Sequence, residues 1–134
     1  ISNEKAPLVF TSWMKEIDVV CAGLDIVALT SLNEGTPVSL IEAQAANKPI
    51  VSTNVGGIEN VVVEGVTALL SASKTDPTQF AEHLKNLIEN DALRADMSRV
   101  GWEHVRNKFH FTRLIRDMSA LYYELLEDVS KRAL

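Results

Sequence analysis

Short apolar runs alternate with segments of helical pattern along the first half of the chain. Apolar and β-branched residues predict four strands, at 8–11, 25–29, 48–53 and 67–70. The intervening segments predict short helices at 17–23, 37–47 and 58–63. The run at 25–29 is almost continuously apolar, as expected for a strand of a parallel sheet with both faces covered. The alternation predicts an α/β fold, a Rossmann-like parallel sheet with flanking helices.

The second half of the chain, from Asp76 onward, has a helical pattern throughout. Pro77 suits the first turn of a helix, and further helices are expected at 93–109 and from Thr112 to Leu126 or beyond. Their apolar stripes contain Phe80, Leu84, Leu87 and Ile88, then Met97, Val100 and Val105, then Leu114, Met118, Leu121 and Leu125 beside Ile115 and Tyr122. We expect these stripes, and Trp102, to form core rather than to contact a cofactor.

Composition narrows the class of protein. The 134 residues include 46% hydrophobic and 23% charged residues, typical of one compact domain. Thirteen Lys and Arg stand against eighteen Asp and Glu, a net charge of -5, and the basic residues are scattered rather than gathered in a run. A nucleic-acid partner therefore has little electrostatic support. The absence of a long apolar run argues against a transmembrane segment, although it leaves peripheral membrane association of a full protein open.

The single cysteine and the start of the chain add two expectations. Cys21 lies in an apolar stretch and is expected to be a small buried core residue rather than a reactive thiol. A lone cysteine fits a cytoplasmic protein. The chain starts at Ile1 without Met or a signal peptide and soon reaches an apolar run. We therefore expect a piece of a longer protein, organised as one domain over residues 1–134.

The loop and helix at 31–43 carry the candidate chemistry. They follow a predicted parallel strand, so they lie at the carboxyl edge of the sheet, where open α/β folds bind ligands. Thr36 is expected as the N-cap and Pro37 as the first helical residue. Unpaired amides at this helix start, near Val38 and Ser39, make a place for phosphate. Gly35 lets the backbone approach a ligand without an intervening side chain.

Two glutamates flank this helix start. Glu34 either binds a ligand or stabilises the helix dipole, and the spacing of the residues alone is consistent with both interpretations. Glu42 lies more than one turn into the helix, and because helical side chains lean toward the N-terminus, its carboxylate can point back toward Glu34. A carboxylate accepts two hydrogen bonds, which suits adjacent hydroxyls of a ribose or hexose. The pair indicates recognition of sugar hydroxyls on both sides of a diphosphate.

Several other residues have side chains or backbones that suit a functional role. Trp13 could stack on a base, but packing is the preferred interpretation. Gly56 and Gly57 are interpreted as a structural turn, with a place beside the ligand as the alternative. The three histidines lack metal-ligand spacing, and we expect them at solvent-exposed helical positions: His83, His104 and His110. No metal site is predicted.

Residues 31–45 resemble the E-x7-E motif of the retaining GT-B glycosyltransferases (glycosyl transferases group 1), with Glu34 and Glu42 as its glutamates. Residues 48–62 are similar to the family's next strand and diglycine turn, and 64–70 to the strand after it. The ending at 122–126 is similar to its last helix. Essentially the whole chain is covered by these ordered blocks. The resemblance implies the C-terminal, nucleotide-sugar-binding half of a GT-B fold, with the N-terminal acceptor domain absent from this chain.

The resemblance also implies a role for each motif residue. Glu34 would contact hydroxyls of the transferred sugar as the catalytic-site glutamate, and Glu42 would bind the ribose. Backbone amides would hold the sugar and distal phosphate, which makes the donor-binding segment Gly35, Thr36, Pro37, Val38 and Ser39. Ser12, Trp13 and Met14 would lie on the nucleobase side. Two departures stand out: Pro37 replaces a frequent glycine and offers no N–H, and Ser12 replaces a common glycine.

The resemblance thus implies the donor-binding domain of a hexosyltransferase-type enzyme of carbohydrate biosynthesis. The full protein would move a sugar from a nucleoside diphosphate sugar to an acceptor with retention of configuration, with neither metal nor cofactor. The acceptor and the phosphate-neutralising basic residues would come from upstream regions, so the isolated domain is expected to be inactive. Two alternatives remain: half of a sugar-nucleotide 2-epimerase, or a non-catalytic nucleotide-binding or interaction module of the same fold.

Overall fold

The computed structural model describes residues 7–132, and the structural statements below concern these residues. In chain order, the elements are α1 (Ile17–Ala22), β1 (Val27–Leu29), α2 (Val38–Ala45), β2 (Ile50–Thr53), a 3₁₀ turn (Ile58–Asn60), β3 (Ala68–Ser71), α3 (Thr78–Glu89), α4 (Asp91–Phe109) and α5 (Phe111–Arg132). The described part of the chain therefore alternates short strands with helices and ends in three consecutive helices, as the pattern of apolar positions predicts.

The three strands form one parallel sheet in the order β1-β2-β3. Val27 lies opposite Ile50, and Ile50 lies opposite Ala68. All four residues of β2 are buried, as expected for a central strand with helices on both faces. Since successive side chains alternate between faces, Ile50 packs with Leu40 of α2 and Val51 packs with Leu87 of α3. The predicted α/β class with a parallel sheet and flanking helices is confirmed.

The two sides of the sheet carry separate apolar clusters. One lies under α2 and the 3₁₀ turn and contains Leu40, Ala43, Ile50, Ile58, Val61, Val62, Ala68 and Leu70. The other lies under α3 and α4 and contains Val51, Leu87 and Met97, with Phe80 and Leu84 packed against it. The inward stripes predicted for α3 and α4 therefore belong to the core, except that Ile88 is exposed and Val100 is half-buried.

Helices α2 and α4 pack closely because a glycine lies between them. A Cβ on Gly101 would come within 2.7 Å of the backbone oxygen of Gln44. Around this contact, Asn47 accepts a hydrogen bond from the Trp102 amide through its side chain at 2.9 Å. The buried Gln44 side-chain amide donates to the carbonyls of Leu40 and Val61 at 3.0 and 3.1 Å. The bonds that involve Trp102 and Val61 anchor the end of α2, which carries Glu42, to α4 and to the turn behind it.

The first predicted strand is wrong. Residues 8–11 form no strand among residues 7–132, and Leu8, Val9 and Phe10 are 73%, 85% and 92% exposed. The predicted strand at 25–29 is shortened to β1, where Ala28 is exposed rather than covered. A strand is held in a sheet by hydrogen bonds to a neighbouring strand. β1 forms these bonds with β2 on one edge, and no other described strand lies along its second edge.

The last apolar stripe is also not core. Leu114, Met118, Leu121 and Leu125 of α5 are all exposed, and so are Ile115 and Tyr122. Amphipathic spacing marks a face that suits burial, but burial requires a partner surface, and among the described residues α5 packs chiefly against α4. Trp102, also expected in the core, is 47% exposed on α4.

Helix starts follow local side-chain chemistry, with some differences from the sequence prediction. Asn90 caps α4 by accepting from the Leu93 amide at 3.0 Å. Asp76 accepts from the amide and hydroxyl of Thr78 at 3.0 and 2.6 Å, while Pro77 directly precedes α3. These hydrogen bonds to its charged form lower the pKa of the Asp76 carboxyl.

No helix among residues 7–132 is both long and apolar enough to cross a membrane.

Candidate functional site

The loop between β1 and α2 holds Glu34 through a relay of hydrogen bonds that begins at the end of β2. The Thr53 hydroxyl donates to the Ser31 carbonyl at 2.6 Å, and the Ser31 hydroxyl donates to Glu34 Oε1 at 2.6 Å. Glu34 is half-buried. The relay fixes one carboxylate oxygen, while the other accepts no hydrogen bond from residues 7–131. Sequence reasoning missed Ser31 and Thr53, although a serine three residues before a glutamate is a detectable local pairing.

The diglycine turn packs directly against this loop. Gly56 has φ +55°, and a Cβ there would lie 1.8 Å from the Glu34 carbonyl oxygen. A Cβ on Gly57 would lie 2.0 Å from the Gly35 carbonyl oxygen, and the Gly57 amide donates to the Glu34 carbonyl at 3.1 Å. The prediction of a structural turn is confirmed, and only the lack of side chains allows so close an approach. The turn thereby positions the backbone that carries Glu34.

The start of α2 presents unpaired amides, but it begins later than predicted. The helix runs from Val38, and Pro37 rather than Thr36 occupies the N-cap position, with ψ of 104° and no side-chain cap. The prediction of a Thr36 cap is wrong because the chain is still extended at Pro37, so Thr36 lies outside the helix. Thr36 and Ser39 are exposed, and a side chain on Gly35 would meet nothing within 4 Å. The first helical amides remain available to a ligand.

Glu42 lies in a different environment, facing α1 and the segment before it. Its side chain is half-buried and lines a cavity of about 640 Å³ with Ser12, Trp13 and Met14. A second cavity, of about 350 Å³, places Glu42 beside Cys21 and Asp18. The Glu42 carboxylate has no hydrogen bond or ion pair within residues 7–131. The structure therefore brings the predicted nucleobase-side residues together with Glu42.

Two properties of this cavity bear on its chemistry. Cys21 is buried, as predicted. Burial is the main cause that raises the pKa of its thiol, and the nearby Glu42 carboxylate raises it further, whereas Lys48 lowers it. Trp13 is 87% exposed, so its predicted packing role is wrong. Ser12 has φ +60°, a left-handed conformation that favours glycine, which explains why this position suits a glycine.

Glu34 and Glu42 do not line one cavity. The two cavities beside Glu42 include neither Glu34 nor its supporting residues. On the Glu34 side, a polar cavity of about 340 Å³ lies at the carboxyl ends of the three strands, where Asn33, Asn54 and Lys74 line it. Sequence reasoning missed these three residues because they come from separate loops. Glu42 thus lines two cavities that Glu34 does not share.

The histidines do not form a metal site. His83 donates to the Leu70 carbonyl and His104 to the Val61 carbonyl, each at 3.1 Å, so both are half-buried links rather than the exposed residues predicted. His110 is exposed but ends α4 instead of lying within a helix. Among residues 7–132, no group of three or more His, Cys, Asp or Glu could hold a metal ion.

Comparison with known proteins identifies the family. Residues 3–103 match the family described as Glycosyl transferases group 1. The chain belongs to this family. Among curated relatives of this glycosyltransferase-family chain, D-inositol 3-phosphate glycosyltransferase of Corynebacterium efficiens is 36% identical over 82% of the chain and 26% of its own length. N-acetyl-alpha-D-glucosaminyl L-malate synthase of Bacillus anthracis is 30% identical over 78% of the chain and 27% of its length. The chain thus spans about a quarter of these relatives.

Solved structures agree on the fold of this family member. The C-terminal domain of a glycosyl transferase group 1 protein from Francisella tularensis matches with a TM-score of 0.65 and 26% identity, covering 76% of this chain and 52% of that one. Sucrose-phosphate synthase from Thermosynechococcus elongatus matches at 0.77 and 23%, covering 84% and 28%. Anabaena HepE in complex with UDP-glucose matches at 0.75 and 20%, covering 84% and 31%. These likenesses confirm the GT-B type of α/β fold predicted from sequence.

Proposed function

We propose that this chain is the donor-binding domain of a GT-B glycosyltransferase. The full protein would transfer a sugar from a nucleoside diphosphate sugar to an acceptor with retention of configuration. Glu42 carries the proposal: it is a half-buried carboxylate without a described partner, in a cavity large enough for a nucleoside and next to a helix start with free amides. Support also comes from HepE, a structure of similar fold that was solved with UDP-glucose.

In this proposal the residues of the E-x7-E motif divide the donor between them. Glu42 accepts hydrogen bonds from the ribose hydroxyls, and Ser12, Trp13 and Met14 surround the base. The amides of Gly35, Thr36, Val38 and Ser39 hold the sugar and distal phosphate, whereas Pro37 donates none. Glu34, held by Ser31, accepts from hydroxyls of the transferred sugar. The helix start stabilises charge that develops on the leaving diphosphate.

The remaining parts of the reaction belong to the longer protein. We propose that an N-terminal domain supplies the acceptor site and the basic residues that neutralise the diphosphate. Residues 1–134 then form one domain without turnover of its own and with weak donor affinity. We further propose that the reaction uses no metal or cofactor and that the full protein works in the cytoplasm, in carbohydrate biosynthesis.

The test is a titration of isotope-labelled chain with UDP, UDP-glucose and the corresponding guanosine and adenosine compounds, followed by amide NMR. Shifts should appear around Glu34–Glu42 and Ser12–Met14. Glu42→Gln should weaken binding by about ten- to a hundredfold, as loss of a charged hydrogen-bond acceptor predicts. Glu82→Gln, which removes an exposed carboxylate from α3, is the matched control and should bind normally.

Three results would contradict the proposal. Absence of shifts around Glu34–Glu42 with every nucleotide would favour a non-catalytic interaction module. Equal affinity of the Glu42→Gln and parent chains would remove the ribose role. Release of a free epimerised sugar nucleotide by the full-length protein, in place of transfer, would favour a 2-epimerase.

A further inference from the structure

The basic residues of this acidic chain are not evenly spread. Residues 106–116 contain Arg106, Lys108, Arg113 and Arg116 without any Asp or Glu, although the chain as a whole has a net charge of -5. Within an otherwise scattered distribution, four of the thirteen Lys and Arg residues therefore fall in this one segment. Like charges repel one another when a fold brings them together, so their placement needs a physical reason.

The structure bends this segment into a corner. Helix α4 ends at Phe109, His110 is extended with ψ of 137°, and α5 begins at Phe111. As a result, Arg106 from the last turns of α4 and Arg113 and Arg116 from the first turns of α5 line one cavity of about 480 Å³. We call this the α4–α5 corner cavity; Asn107, His110 and Thr112 complete its lining.

The corner cavity has more positive charge than its neighbours neutralise. Asp117 pairs with Arg113 at 2.9 Å and with Arg116 at 3.1 Å, and Arg106 has no ion pair within residues 7–131. Three guanidinium groups and one carboxylate leave a net charge of +2. Lys108 does not line the cavity, because its ammonium lies over the Phe109 ring, 5.6 Å from the centroid.

The corner also carries hydrogen-bond donors of suitable kinds. Each guanidinium offers five N–H donors, and Asp117 occupies few of them. The His110 Nδ1 and the Thr112 hydroxyl are joined by a hydrogen bond of 2.8 Å, which holds both side chains at the corner. The start of the 22-residue α5 adds the positive end of its dipole at the same place.

We propose that the α4–α5 corner cavity binds the phosphate group of a small phosphorylated molecule. A phosphate monoester carries about 1.5 to 2 negative charges near neutral pH, which matches the uncompensated charge of the corner. Its oxygens accept the paired N–H groups that arginine presents. The cavity shares no lining residue with the two beside Glu42, so this proposal stands independently of the donor-binding role.

The test compares two arginines of the same helix. The 134-residue chain is titrated at constant ionic strength with inorganic phosphate, glycerol 3-phosphate and UDP, while the Nε–H signals of its arginines are followed by NMR. Phosphate and glycerol 3-phosphate should shift Arg106, Arg113 and Arg116. Arg106→Gln should weaken both by about fivefold or more, as loss of one exposed charge-assisted contact predicts. Arg99→Gln, which removes an exposed arginine paired with Asp96 at 3.3 Å, should change affinity less than about twofold.

Each other outcome overturns the proposal. Equal weakening by Arg106→Gln and Arg99→Gln would mean diffuse attraction rather than a site. Shifts with UDP alone would assign the corner to a nucleotide, and absence of shifts at the three arginines would mean that it binds no phosphate. Glu42→Gln distinguishes the two proposals, since it should weaken the UDP effects near Ser12–Met14 and leave the corner response to phosphate unchanged. Circular dichroism of each variant verifies that the helices are retained.

Discussion

Replacing Gly56 by alanine tests whether the diglycine turn sets the position of the Glu34 loop. The perturbation has two parts. Gly56 has φ +55°, where any Cβ is strained, and its new methyl group would start 1.8 Å from the Glu34 carbonyl oxygen. Gly65 offers a matched control, because it also has positive φ, at +74°, but a Cβ there meets nothing within 4 Å.

The magnitudes follow from these contacts. Left-handed backbone costs an alanine about 1 to 2 kcal/mol, partly offset by the smaller entropy of its unfolded chain, so Gly65→Ala should lose about 1 kcal/mol. Gly56→Ala must in addition move the turn to about 3.5 Å from the carbonyl oxygen, the ordinary contact distance. That movement breaks the 3.1 Å bond from the Gly57 amide to the Glu34 carbonyl. Overpacking and the lost bond add about 2 to 3 kcal/mol.

The assay is equilibrium unfolding of both variants and the parent chain in urea, with thermal melts alongside. Gly56→Ala should be less stable than Gly65→Ala by about 2 to 3 kcal/mol, or roughly 8 to 12 °C in Tm at about 4 °C per kcal/mol. Equal losses in the two variants would refute the reasoning, because they would show that left-handed strain alone matters and that the turn does not press on the Glu34 loop.

Three further outcomes are expected. Gly101→Ala should destabilise the chain by about 1 to 2 kcal/mol in urea unfolding, since its Cβ would lie 2.7 Å from the Gln44 backbone oxygen. The overpacking outweighs the gain in helix propensity. A more stable variant would show that α2 and α4 separate freely. Cys21 should react slowly with a thiol reagent at pH 8 and rapidly in urea, because burial raises its pKa; fast reaction of the folded chain would contradict that burial. Hydrogen bonds from Thr78 lower the folded-state pKa of Asp76, so its carboxylate should stabilise the fold at pH values above its ordinary pKa of 3.8. This stability should be lost as the pH falls through the lowered pKa. Asp76→Asn should therefore flatten the acid unfolding curve in that range, and an unchanged curve would exclude the contribution.

Features that depend on neighbouring residues in the chain were predictable. The central strand β2, the helix that carries Glu42 and the turn at Gly56 follow from short apolar runs, helical spacing and glycine pairs. Errors of one to three residues arose at helix ends. At α2, the extended conformation of Pro37 excludes Thr36 from the cap.

Features that need a second surface were not predictable. The apolar residues at 8–11 and the stripe of α5 satisfy the local patterns of strand and core helix, yet both are exposed among the described residues. The same distinction between local and tertiary features applies to the candidate site. The sequence by itself determined that two glutamates lie on either side of a helix start, because seven intervening residues span that turn. Only the tertiary structure decided that Glu34 is held by Ser31 and the diglycine turn while Glu42 faces the segment before α1, because hydrogen bonds and cavities join residues distant along the chain.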